Sequence, residues 1–154
     1  MSTWRSAFAR QARSDFLLFE TLRSHPLCHQ LHYLQMAAEK IAKAHMCPPS
    51  GRPPRTHKAF VRFLQLCDNR IDLRLASGMS RSRFRSHVRG LLHVANALED
   101  LAPVGDWDKP NPEYPWETGG KIISPLDHSF AVVRPTTRPM IKLLEFLRFC
   151  LEMA

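Results

Sequence analysis

The run Leu31-His-Tyr-Leu-Gln-Met-Ala-Ala-Glu-Lys-Ile-Ala-Lys-Ala-His45 constrains the fold most tightly. Leu31, Leu34, Ala38 and Ile41 recur at steps of three and four, the period of a helix with one buried face. Gln35, Glu39, Lys40 and Lys43 form the polar edge of that stripe. Glu39 and Lys43 stand at i,i+4, a favourable pair on a solvated helix edge.

The same period recurs along the chain. Trp4, Phe8, Ala12, Phe16, Phe19 and Leu22 predict a first helix from about Thr3 to Arg23. The second opens near Pro26, a good first-turn residue. Pro48-Pro49-Ser-Gly51 and Pro53-Pro54 end it in a stiff connector. A third begins at Thr56, a suitable N-cap, with Phe60, Leu64, Cys67, Ile71 and Leu75 inward and a break at Ser77-Gly78. A fourth runs from Ser80 to about Leu101, with Phe84, Val88, Leu91, Ala95 and Leu98 inward. The fifth follows Pro139 with Met140, Leu144, Leu147 and Leu151.

The fourth and fifth helices are separated by residues 102–138, a proline-rich stretch too long for an ordinary connection. Its aromatics Trp107, Tyr114, Trp116 and Phe130 favour packing onto the helices over disorder. Lys121-Ile-Ile-Ser124 suits a short strand. Gly119-Gly120-Lys121 lacks the rest of a phosphate-binding loop and suits a turn. At 154 residues one domain, 1–154, is expected, with 102–138 as an irregular insertion. The fold class is therefore all-α, about five helices with a long Pro-rich crossover before the last.

No apolar run approaches the roughly 20 residues that span a bilayer. The longest, near Met140–Phe149, is broken by Lys142, Glu145 and Arg148. The opening Met1-Ser-Thr-Trp-Arg5 does not resemble a secretory signal. A cytoplasmic protein without membrane partners is expected. Cys28, Cys47, Cys67 and Cys150 form no C-x-x-C pair, and free thiols follow.

The net charge is +8, and it is concentrated. Residues 52–89 hold ten Lys/Arg against Asp68 and Asp72, which accounts for the whole excess. Arginine predominates there, and its planar fork suits bidentate phosphate contact. An anionic partner follows, nucleic acid or an acidic protein; a solvated basic face is the plainer alternative.

Other clusters carry less. His25, Cys28, His29 and His32 share one helix face and are zinc-type ligands, with His45 and Cys47 near the helix end; a polar face around a half-buried thiol explains them as well. Asp127-His128-Ser129 are consecutive and cannot converge as a triad. Trp107, Tyr114 and Trp116 suit base stacking or core anchoring.

Several short motifs in order resemble the HEPN superfamily of helical bundles. Arg10-Gln-Ala-Arg-Ser-Asp15 before an aromatic-rich helix is similar to its opening helix. Tyr33–Ala44 is similar to its Gln-x-Ala-Ala-Glu-Lys-x-x-Lys-Ala pattern, and Thr56-His57 to its Thr-His opening of the next helix. The resemblance implies an up-and-down bundle of four or five helices, usually a homodimer. It implies an RNA-associated protein of a phage-defence or toxin–antitoxin system. Active members cut RNA without a metal or cofactor, with an Arg, a polar residue and a His at the dimer interface. The matching positions are Arg81, Ser82 and His87, so Arg81 and His87 are the implied catalytic pair. Arg74, Arg83, Arg85 and Arg89 would hold phosphates. Asn111-Pro-Glu-Tyr-Pro-Trp116 resembles the Arg-Tyr-Pro element of non-cleaving members, with Glu113 in the Arg position. That supports the alternative of a non-catalytic dimerisation or docking module for RNA or an acidic protein. Arg83 and His87, four apart, would lower the His pKa by charge repulsion.

Overall fold

The computed structural model describes residues 3–56, 58–101 and 107–154. Helix α1 spans Trp4–Thr21 and is closed at its start by a reciprocal cap. The Thr3 hydroxyl accepts the Ser6 amide at 3.1 Å, and Ser6 Oγ accepts the Thr3 amide at 3.0 Å. A 3-10 turn at Leu22–Ser24 leads into α2, Leu27–Met46, and the two helices form a hairpin. Ala9 and Ala12 of α1 and Ala37, Ala38, Ala42 and Ala44 of α2 are fully buried. Such small side chains let helix backbones approach closely.

Asp15 also lies on the buried stripe of α1. A buried carboxylate needs a partner. Lys40 of α2 supplies the ion pair and Gln11 Nε2 donates at 3.1 Å. Lys40 is thus an inter-helix tie rather than part of a solvated edge. Lys43 keeps its expected pair with Glu39.

The expected third helix is two helices, α3 (Ala59–Leu66) and α4 (Ile71–Ala76). A 3-10 turn at Cys67–Asn69 tightens the chain, and Arg70, at φ −91° and ψ 82°, leaves the helical region. The Arg70 side chain is well bound there: it donates to both Asp72 oxygens, at 2.9 and 2.6 Å, and to the His45 carbonyl at 3.0 Å. The break resets the helical phase. Leu73 becomes fully buried, while Ile71 and Leu75 are 63% and 64% exposed, opposite to the expected stripe.

The start of this helix also differs from expectation. Thr56 does not cap it, and His57 lies outside the described residues. The residue before α3 is Lys58, at φ +54°, with no side-chain cap. The cap comes from the end of α5 (Arg81–Glu99), where the Glu99 carboxylate accepts the amides of Phe60 at 2.7 Å and Val61 at 3.1 Å. Burial raises the Glu99 pKa, and the two amides pull it back in part. Gln35 Nε2 of α2 donates to the Glu99 carbonyl at 3.4 Å, and Lys58 pairs with Asp100 at 2.7 Å.

Ser80 caps α5 as expected, accepting the Arg83 amide at 3.3 Å. Phe84, Val88, Leu91, Ala95 and Leu98 all face the core. In the crossover, β1 (Trp116–Thr118) pairs antiparallel with β2 (Lys121–Ile123), Trp116 opposite Ile123. Gly119 and Gly120, at φ +58° and +74°, make the two-residue turn, where side-chain-bearing residues would be strained. Trp116 and Phe130 anchor the segment in the core, with the His128 ring edge-on to both, at 5.0 and 4.6 Å. Trp107 and Tyr114 stay exposed. Residues 102–106 of the expected insertion lie outside the described residues.

Helix α6, Arg138–Glu152, closes the bundle against α5, α2 and α1. Its inward residues include Met140, Leu144, Leu147 and Leu151, as the periodicity predicts. The architecture is an all-α bundle of six helices among the described residues, with one short hairpin in the crossover. No helix among those residues is long and apolar enough to cross a membrane.

Glu99 generates the first prediction. Glu99→Ala leaves the Phe60 and Val61 amides without acceptors and lowers unfolding free energy by about 2 kcal/mol. Glu99→Gln, which retains one acceptor oxygen, costs less. Urea unfolding monitored by circular dichroism checks both the size and the order.

Candidate nucleic-acid interface

The basic span 52–89 folds into the Pro-rich connector, α3, α4 and the first half of α5. Its two acids are both engaged within the chain. Asp72 is held by Arg70 at 2.6 Å. Asp68 lies 3.1 Å from Arg85 and 3.5 Å from Arg89. One carboxylate facing two guanidiniums leaves a positive remainder. Both arginines stay accessible, with 41% and 66% of their side chains exposed. Arg81 and Arg83 are exposed and Arg74 is half-buried, and none has an ion pair among the described residues.

Helical geometry sorts these side chains around the α5 core stripe. At 100° per residue, Arg81, Arg85 and Arg89 fall on one flank, where Asp68 meets Arg85 and Arg89, and Arg83 and His87 fall on the other. The structure therefore brings Arg85 and Arg89 together, and it separates Arg81 from His87. Six residues at 1.5 Å each place that pair about 9 Å apart along the axis, on opposite sides of the stripe.

His87 is half-buried, with its ring edge-on to Phe146 of α6 at 5.9 Å. Its pKa is lowered, first by burial and then by Lys142, with Glu145 opposing. The direction matches the expectation from Arg83, but the causes are burial and a lysine of α6. A neutral imidazole at neutral pH suits a base rather than an acid.

The zinc-type residues do not assemble. Cys28 is buried, and His32 Nδ1 lies 3.1 Å from Glu113 of the crossover. No group of three or more His, Cys, Asp or Glu among the described residues is arranged to hold a metal ion. Glu113, at the position that the resemblance compares with an Arg, is thus the partner of a histidine.

The most perturbed polar cluster lies elsewhere, at the end of α2. His45 is buried, with its ring stacked on Phe63 at 5.1 Å. Its Nε2 donates to the Cys150 carbonyl at 2.8 Å, and Nδ1 accepts from Arg70 at 3.3 Å. Burial, reinforced by Arg70 and Arg5, lowers its pKa to about 4. Burial likewise pushes the Cys67 thiol up to about 12 and Cys150 well above its ordinary value, so both are unreactive thiols. A signal for His45 was present in the sequence: it lies four residues beyond Ile41 on the apolar stripe. Arg70 carried no such signal, because beside its neighbour Asp72 its partner is His45, twenty-five residues back in the chain.

The shift at His45 gives a pH prediction. The unfolded chain takes up a proton below its ordinary value of 6.5, whereas the folded chain does so only near 4. Stability therefore falls as pH drops through that window, by about 3 kcal/mol for this group. His45→Gln keeps a donor for the Cys150 carbonyl and removes the titration. Urea unfolding at several pH values between 6.5 and 4.5 will show a shallower decline in the variant. Compared with known proteins, the chain matches no family model, no curated protein and no solved structure.

Proposed function

We propose that this chain is an RNA-associated protein of HEPN type that binds the phosphate backbone with α4 and the first half of α5. The observation that carries this is the charge inventory of these two helices. Asp68 and Asp72 are occupied by Arg70, Arg85 and Arg89, while Arg74, Arg81 and Arg83 have no acidic partner among the described residues. Unpaired arginines are the donors that phosphates take. The motif order at Arg10–Asp15 and Tyr33–Ala44 supports the family reading, and with it a cytoplasmic homodimer of a phage-defence or toxin–antitoxin system.

Metal-independent cleavage by Arg81 and His87 is the catalytic form of this proposal. A neutral His87 favours it. The opposite flanks of Arg81 and His87 favour the non-catalytic form, a helical docking module, unless two copies combine their residues over one phosphate.

Two measurements test the proposal. Binding of a fluorescent single-stranded RNA weakens with salt, and Arg81→Ala with Arg83→Ala reduces the slope of log K against log salt by about 2. Salt-independent binding, or equal binding by the double variant, would count against phosphate contact by α5. Total RNA incubated in excess EDTA is cut by the wild type and spared by His87→Ala if the site is catalytic. Intact RNA with both leaves binding without cleavage.

A further inference from the structure

A cleft of about 300 Å³ opens between the end of α2, the connector and α3. That volume is at the small end of ligand sites, enough for one compact ring system rather than a peptide segment. Met46, Pro54 and Leu66 give it apolar walls, and the stacked His45 and Phe63 rings form its floor. Its rim is positive. Arg62 is exposed, and its side chain has no ion pair or hydrogen bond among the described residues. Arg5 lies near enough to depress the His45 pKa. The nearby acid Asp72 is held by Arg70, which also lines the cleft. One turn beyond Arg70, α4 carries Arg74, so the cleft continues the basic surface.

An apolar slot with a free guanidinium at its mouth matches a flat apolar group that carries one anion. We infer that the cleft takes one unstacked nucleotide of a bound RNA, its base against Met46, Pro54 and Leu66 and its phosphate at Arg62. The inference rests on the RNA reading above and adds to it a place where a single-stranded base is held, which duplex RNA does not offer. Neutral His45 in the floor adds no charge above about pH 4. The Arg62 cation then governs anion recognition.

The test uses 5′-AMP, adenosine and a fluorescein-labelled adenylate decamer. Arg62→Gln and Leu66→Asp change side chains that reach solvent, and thermal unfolding confirms that both variants fold. In proton–nitrogen NMR spectra, 5′-AMP shifts the amides of Met46, Phe63 and Leu66 in the wild type. Arg62→Gln weakens 5′-AMP about tenfold, adenosine binds the wild type comparably weakly, and Leu66→Asp loses both. Both variants bind the decamer more weakly than wild type. If the decamer binds wild type but the variants match it, or 5′-AMP leaves the cleft amides unmoved, the cleft inference fails while the RNA reading stands. Adenosine binding as tightly as 5′-AMP would overturn the phosphate contact at Arg62. Failure of the decamer to bind wild type removes both proposals.

Discussion

The Glu99 carboxylate is the junction on which the bundle depends. It ends α5 and begins α3 with two amide hydrogen bonds, and its own carbonyl receives Gln35 from α2. Three helices thus meet at one residue. A helix N-terminus leaves several amides without internal partners, and Lys58, in the left-handed region, has no acceptor to give them. The missing cap is supplied from almost forty residues away. Burial opposes the charge on Glu99, and the amides offset part of that opposition, so the residue fixes geometry more than it adds net stability.

Arg70 plays the complementary role on the other side of α3. Its fork binds Asp72, the His45 carbonyl and the His45 ring at once. That arrangement ends the helical run, turns α4 away and exposes Ile71 and Leu75. Arg70 also lines the Met46–Leu66 cleft.

The charge pattern links these structural facts to function. The two acids within the basic span are held by three of its ten cations, and Arg62, Arg81 and Arg83 are exposed with no ion pair among the described residues. A surface of that kind favours phosphate whether or not catalysis occurs. Arg81 and His87 lie on opposite flanks of α5, so the proposed cleavage would require two copies to combine their residues, whereas the proposed binding requires only the exposed arginines.

The helices were legible in the sequence wherever a single uninterrupted stripe set the period. The α2, α5 and α6 stripes, the Ser80 cap and the Gly119-Gly120 turn all follow from local rules, because each is decided by residues within one or two turns. The basic character of residues 52–89 is equally local, since it is a count. The split at Cys67–Arg70, the Glu99 cap, the Asp15–Lys40 tie and the buried His45 were decided by the tertiary structure. Each joins residues distant in sequence, and each replaces a local preference with a hydrogen bond or ion pair that exists only once the helices have packed. The two flanks of α5 divide likewise: the sequence fixes the angle between Arg81 and His87, and packing decides that one side meets Asp68 while the other meets Phe146 and Lys142.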